Sequence, residues 1–119
     1  MYLDTLERMP GEVVPVTPPI KTIKLEPWRQ LLLEAADILE RRGWCQKHLI
    51  DVRGRMCTVG AMTSVWDIEA DWDMSVVSEA QDELTKVVGP LVEWNDTKGR
   101  TKEEVLKTLR YVARLEHRL

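Results

Sequence analysis

Apolar residues recur at three- and four-residue intervals from Trp28 through Leu31, Leu32, Ala35 and Ile38 to Leu39, the spacing that lines one face of a helix. Arg29, Glu34, Asp37, Glu40 and Arg41 fall mostly outside this stripe. Pro27 suits a first helical turn, where its missing N–H is not needed, and Gly43 suits a left-handed stop. A helix over 27–42 is therefore predicted. Ala61, Met62, Val65, Trp66 and Ile68 make a shorter apolar face and predict a second helix from near Thr58. Gly60, so close to its start, is a poor helix former and points to a close approach of another stretch of backbone.

Asp71-Trp72-Asp73-Met74-Ser75 breaks the pattern, and Ser75 is the predicted cap of a third helix, with Ser78 or Glu79 in its first turn. Val77, Ala80, Leu84, Val87, Val88 and Leu91 carry its period, with Gly89-Pro90 ending or kinking it before Trp94. Thr101-Lys102-Glu103-Glu104 fits a capping box, in which the threonine side chain and Glu104 satisfy each other's orphan amides. The fourth helix then runs to near His117, with Val105, Leu109, Val112 and Leu115 or Glu116 inward and Lys107, Arg110 and Arg114 outward. Between the first two helices, Asp51-Val52-Arg53-Gly54-Arg55 reads as a turn before a short extended piece.

Residues 1–26 differ. Four of the six prolines, Pro10, Pro15, Pro18 and Pro19, fall there, and proline lacks the donor that helices and central strands need. Val13-Val14-Pro15-Val16 is too apolar for a solvated tail, and Ile20-Lys21-Thr22-Ile23-Lys24-Leu25 alternates with the period of a strand. The expectation is an extended arm over 1–26 lying on a surface of its own domain or of a second copy, where arm exchange would build a homodimer. Residues 27–119 would form the helical domain: a single all-α unit of about four helices packed at mixed angles.

Length supports one domain, since 119 residues bury a single modest core. The chain is 44% hydrophobic and 31% charged, as ordinary globular proteins are. No apolar run approaches the ~20 residues that cross a membrane, and the first residues lack the apolar stretch of a secretory signal. Cytoplasmic location is the resulting expectation. A net charge of −3 offers no overall attraction to nucleic acid, and the basic face of the last helix reads as solvated surface.

Candidate chemistry is sparse. Cys45-x-x-His48 with Cys57 resembles half a zinc site. Four ligands are needed, and the paired spacing of a second half is missing, so two packed thiols beside a surface histidine are the preferred reading and no cofactor is expected. Trp94-Asn95-Asp96 would present a hydrogen-bonding edge to a ligand, but Asn and Asp before Gly99 are also ordinary turn formers. No nucleophile with a base and no phosphate-cradling loop accompanies them. Most of the five tryptophans are expected in the core, with one or two, Trp72 first among them because acids flank it, expected to stay exposed as binding residues.

The succession Ala35-Ala36-Asp37-Ile38-Leu39, Gly43-Trp44-Cys45-Gln46, Gly54-Arg55-x-Cys57-x-x-Gly60-Ala61 and Trp94-Asn95-Asp96-x-x-Gly99-Arg100-Thr101-x-x-Glu104-Val105 resembles an uncharacterised family of small domains from actinobacteria and their phages. The likeness covers about residues 28–113, includes both cysteines and leaves out the arm. It implies a fold unit and a phage or actinobacterial source, with no catalytic residues to carry over. The expected function is a non-enzymatic, phage-type accessory protein that binds another protein, a host protein being one candidate. Trp72, Trp94, Asn95 and Asp96, with Val14, Val16, Ile20 and Ile23 of the arm, are the candidate binding residues. The alternative is a small-molecule or metal-binding domain, even an enzyme, using Cys45, His48, Cys57 and the Asn95-Asp96 turn.

Overall fold

The computed structural model describes residues 25–69 and 71–115. The arm residues Val14, Val16, Ile20 and Ile23 lie outside this range. Five helices follow one another: α1 (Pro27–Arg42), α2 (Thr58–Ile68), α3 (Met74–Val88), α4 (Leu91–Asn95) and α5 (Lys102–Arg114). No strand is present among the described residues, so the domain is all-α.

α1 is the central rod, packing most extensively on α5, then on α2 and α3. Its stripe is buried as the spacing predicts: Trp28, Leu31, Leu32, Ala35 and Leu39 are nearly or wholly inaccessible. Each such leucine contributes on the order of 1.5–3 kcal/mol through burial. α5 runs antiparallel to α1. At one end Arg29 donates to the carbonyls of Ala113 and Leu115, meeting the unpaired carbonyls and negative dipole end of α5. At the other end the Lys102 ammonium reaches the Glu40 carbonyl at 3.1 Å, and Arg110 bridges Asp37 and Glu40. From α5, Val105, Leu109 and Val112 face the core with Met62 and Val65 of α2 and Ala80 and Leu84 of α3.

The helix boundaries follow the capping chemistry with three differences. The Thr101–Glu104 capping box forms in both directions, and α5 closes at Leu115, short of the expected end near His117, which lies outside the described residues. α3 is capped by Asp73, whose carboxylate accepts from the Ser75 amide at 2.9 Å, so Ser75 sits inside the helix and not at its cap. Gly89 turns to φ +83° and ends α3, and Leu91 begins the short α4 instead of prolonging α3.

Side-chain placement differs at two expected positions. Trp72 is half-buried against the core and not exposed: its carbonyl accepts from the Trp66 indole at 3.1 Å, and apolar cover outweighs the flanking acids. Ile68, expected on the inner face of α2, is exposed at the last residue of the helix.

Gly60 has the close approach that its position suggests: a Cβ there would stand 2.3 Å from the Leu49 carbonyl oxygen. An alanine inside a helix normally gains about 1 kcal/mol over glycine. Here Gly60→Ala must displace backbone, so the expected outcome is a loss of roughly 1–3 kcal/mol, the range of overpacking, read as a lowered midpoint in urea unfolding. A gain would show that the 49–60 contact is not formed.

Candidate functional site

The link between α1 and α2 is a small, tightly bonded unit. Gly43 leaves α1 at φ +101°, and the chain passes through Trp44 and Cys45 before a hairpin folds 49–51 back on 55–57. The hairpin is closed by Asp51 N–H to the Arg55 carbonyl (2.8 Å) and Cys57 N–H to the Leu49 carbonyl (3.1 Å), with Gly54 at φ +82° in its turn. On its other side the 55–57 segment pairs in parallel with Trp44, through Cys45 N–H to Met56 O and Met56 N–H to Gly43 O. Asp51 binds the turn from within, accepting from the amides of Arg53 and Arg55 and from the Arg55 guanidinium at 2.7 Å. Its partial burial opposes ionisation, but these donors prevail and hold the carboxyl below its usual range.

Both thiols are structural parts of this unit. Cys45 is buried with its S–H directed at the carbonyls of His48 and Arg55, 3.4 and 3.3 Å away. Burial, with the nearby Asp51 and Cys57, raises its pKa, so it stays a thiol at neutral pH and is a poor nucleophile. Cys57 is the N-cap of α2, its sulfur accepting from the Gly60 amide. His48 is exposed, and among the described residues no group of three or more His, Cys, Asp and Glu is arranged to hold a metal ion.

Asn95, the last residue of α4, locks the linker to the rest of the fold. It is 1% exposed. Its Oδ1 accepts from the Trp44 indole (2.7 Å), the Thr58 hydroxyl (2.7 Å) and the Thr58 amide (3.0 Å). Its Nδ2 donates to the Cys45 carbonyl and to Asp96 Oδ1. The amide's donors and acceptor are thus fully used within the protein. Asp96 also accepts from the Lys47 amide at 2.9 Å, holding Lys47 at φ +72°, and Gln46 donates to the carbonyls of Asn95 and Thr97.

Beside this lock lies a pocket of about 230 Å³ lined by His48, Leu49, Cys57, Val59 and Val92, with Lys47, Asn95 and Asp96. The structure therefore brings together four of the residues singled out by sequence: His48, Cys57, Asn95 and Asp96. Cys45 faces a separate depression with Trp44, Asp51 and Arg55. Trp94 lies outside the pocket, half-buried with the Arg100 guanidinium 4.9 Å above its ring, and Trp72 belongs to the α2–α3 link. Sequence reasoning missed Trp44 and Thr58, whose partner is 51 and 37 residues away. It also missed the exposed Leu49, Ile50, Val52 and Val92, although an apolar run beside a turn was a visible signal.

Two predictions follow from this network. Asn95→Ala leaves the two buried Thr58 donors and the part-buried Trp44 indole without an acceptor, and at roughly 1–3 kcal/mol per orphaned group the loss should exceed about 3 kcal/mol. Trp44→Phe, which removes one donor, should cost far less, and chemical denaturation of the two variants checks that order. Asp96 contributes to the pH dependence: hydrogen bonds from Asn95 and from the Lys47 amide lower its pKa in the folded state. Its contribution is therefore present above the unfolded-state pKa and is lost as pH falls through the depressed folded value. Asp96→Ala should lower the melting temperature at pH 7 and converge on the parent protein in strong acid, as calorimetry across pH would show.

A family model matches residues 24–115, a span that takes in all five helices, the linker and the Asn95 lock. No curated protein matches the chain, and no solved structure does. The match covers more than half of the sequence, and the chain belongs to this family of unknown function, DUF6197.

Proposed function

We propose that this domain is a non-enzymatic, phage-type accessory protein that works by binding another protein through the hairpin and the adjoining pocket rim. The observation that carries this reading is the exposure of large apolar side chains on a braced hairpin and the pocket rim beside it: Leu49 (61%), Ile50 (54%) and Val52 (103%) on the hairpin and Val92 (61%) across the pocket. Each leaves on the order of 1.5–3 kcal/mol of burial unrealised. A surface held by Asn95, Asp51 and Gly60 loses little conformational freedom when a partner covers it, and pre-organisation of that kind favours binding.

The alternative, a small-molecule site at the same pocket, draws less support. Its volume of about 230 Å³ is below the roughly 300–1,000 Å³ of drug-sized ligand sites. The polar groups that would orient a ligand, those of Asn95 above all, already have protein partners. Both thiols are engaged in the linker, which leaves the exposed His48 on the pocket wall without a thiol nucleophile to activate.

Tagged full-length protein incubated with actinobacterial lysate tests the proposal against a Leu49→Asp/Val52→Asp variant with unchanged circular dichroism. The expected result is one defined protein retained by the parent and lost with the double substitution. Equal retention by both proteins, or none by either, would overturn it.

A further inference from the structure

We infer that the hairpin face takes an extended, acidic peptide segment with apolar anchor residues, added as a short strand along the outer edge at Ile50. This rests on the binding role proposed above and specifies the partner's chemistry. Three observations converge on it.

The first is an open backbone edge. The bonds Asp51 N–H to Arg55 O and Cys57 N–H to Leu49 O flank the Ile50–Met56 bridge, which makes Ile50 and Met56 a pair without bonds between them. Met56 turns its own N–H and C=O toward Gly43 and Cys45. Ile50 must turn its groups the opposite way, to the outside, and among the described residues neither has a partner. An edge of this kind is the template for strand addition, with main-chain bonds giving affinity and alternate side-chain pockets giving selectivity.

The second is the apolar surface flanking that edge. Leu49 and Val92 rim the pocket on one face, and Ile50, which as the next residue points to the other face, and Val52 are exposed along the hairpin, so an added strand finds apolar side chains beside it. The third is charge. Residues 46–56 carry Lys47, Arg53 and Arg55 against the single carboxylate of Asp51, in a chain of net charge −3. The Asp51–Arg55 pair at 2.7 Å cancels, which leaves Lys47 and Arg53 against the one carboxylate of Asp96 beside Lys47, so the hairpin and pocket rim keep an excess of one positive charge that favours an anionic partner. The sequence just before the described region, Ile20-Lys21-Thr22-Ile23-Lys24, is itself basic and a poor match. An anionic lipid surface shares the charge and the apolar character but has no groups in its interior to pair with the Ile50 peptide edge.

The test uses the full-length protein and three fluorescein-labelled decapeptides: alternating valine and glutamate, alternating valine and lysine, and the glutamate peptide N-methylated at every other residue. Fluorescence anisotropy should show the glutamate peptide binding at least about tenfold more tightly than either of the others. Lys47→Glu/Arg53→Glu, two surface changes that leave the core untouched, should abolish the preference for glutamate over lysine. Amide chemical-shift changes should fall on 47–52 and Val92.

Equal affinity for the three peptides, or shift changes elsewhere, would overturn the inference. So would binding of phosphatidylserine vesicles without peptide binding, or a dimer dispersed by Leu49→Asp/Val52→Asp, which would assign the face to lipid or to a second copy. Lysate capture that the double substitution abolishes, with no preference among the peptides, would sink this inference and leave the binding role standing. Capture indifferent to that substitution would sink both.

Discussion

A single carboxamide decides how this domain is closed. Burying an amide without partners costs several kcal/mol, and Asn95 avoids that cost only because Trp44, Thr58, Cys45 and Asp96 converge on it. Those partners belong to the exit from α1, the start of α2 and the end of α4, so the amide is satisfied only when all three are in place. α4 has five residues, Leu91–Asn95, far below the length at which an isolated helix persists in water. It exists because Asn95 docks.

The same constraint makes the linker rigid. An irregular link of this length would ordinarily be a mobile surface loop. Here Asn95 fixes one end, Asp51 binds the turn, and the absent side chain of Gly60 lets the Leu49 carbonyl lie against α2. The rods behind it need no such help: α1 and α5 are held by a continuous apolar seam and by side chains that finish each other's ends. The domain thus divides into a core stabilised by area and an end stabilised by directed hydrogen bonds.

That division accounts for what could be read from the sequence. The rods announce themselves through periodicity, as at Trp28 to Leu39, and through local chemistry such as the Thr101–Glu104 box, because helix formation depends on neighbours three and four residues apart. Gly60 was legible for a related reason, since a glycine early in a helix asks for an explanation in space. α4 was not, because five residues between Gly89 and Gly99 contain too little of a period to distinguish a turn of helix from a loop. Asn95 read as a turn former because its partners lie tens of residues away, and nothing in spacing reveals an amide that accepts from a distant indole. Trp72 misled for the opposite reason: flanking charges describe the backbone's neighbourhood, whereas the ring packs against the core.

The residues that look like chemistry in the sequence, two thiols, a histidine and Asn-Asp beside a tryptophan, do gather in space, yet most of their polar atoms are consumed in holding one another. A catalytic site keeps some donors and acceptors directed at an empty volume and has a group poised to change protonation. Cys45 is instead pushed toward its neutral form, Cys57 caps a helix, and Asn95 has no donor or acceptor left to offer. Among the described residues, the network leaves facing water the His48 imidazole, the Lys47 and Arg53 cations, several apolar side chains and the unpaired backbone at Ile50. The apolar side chains and the open peptide edge gain by being covered, which is the physical reason for proposing this end of the domain as a surface for a partner.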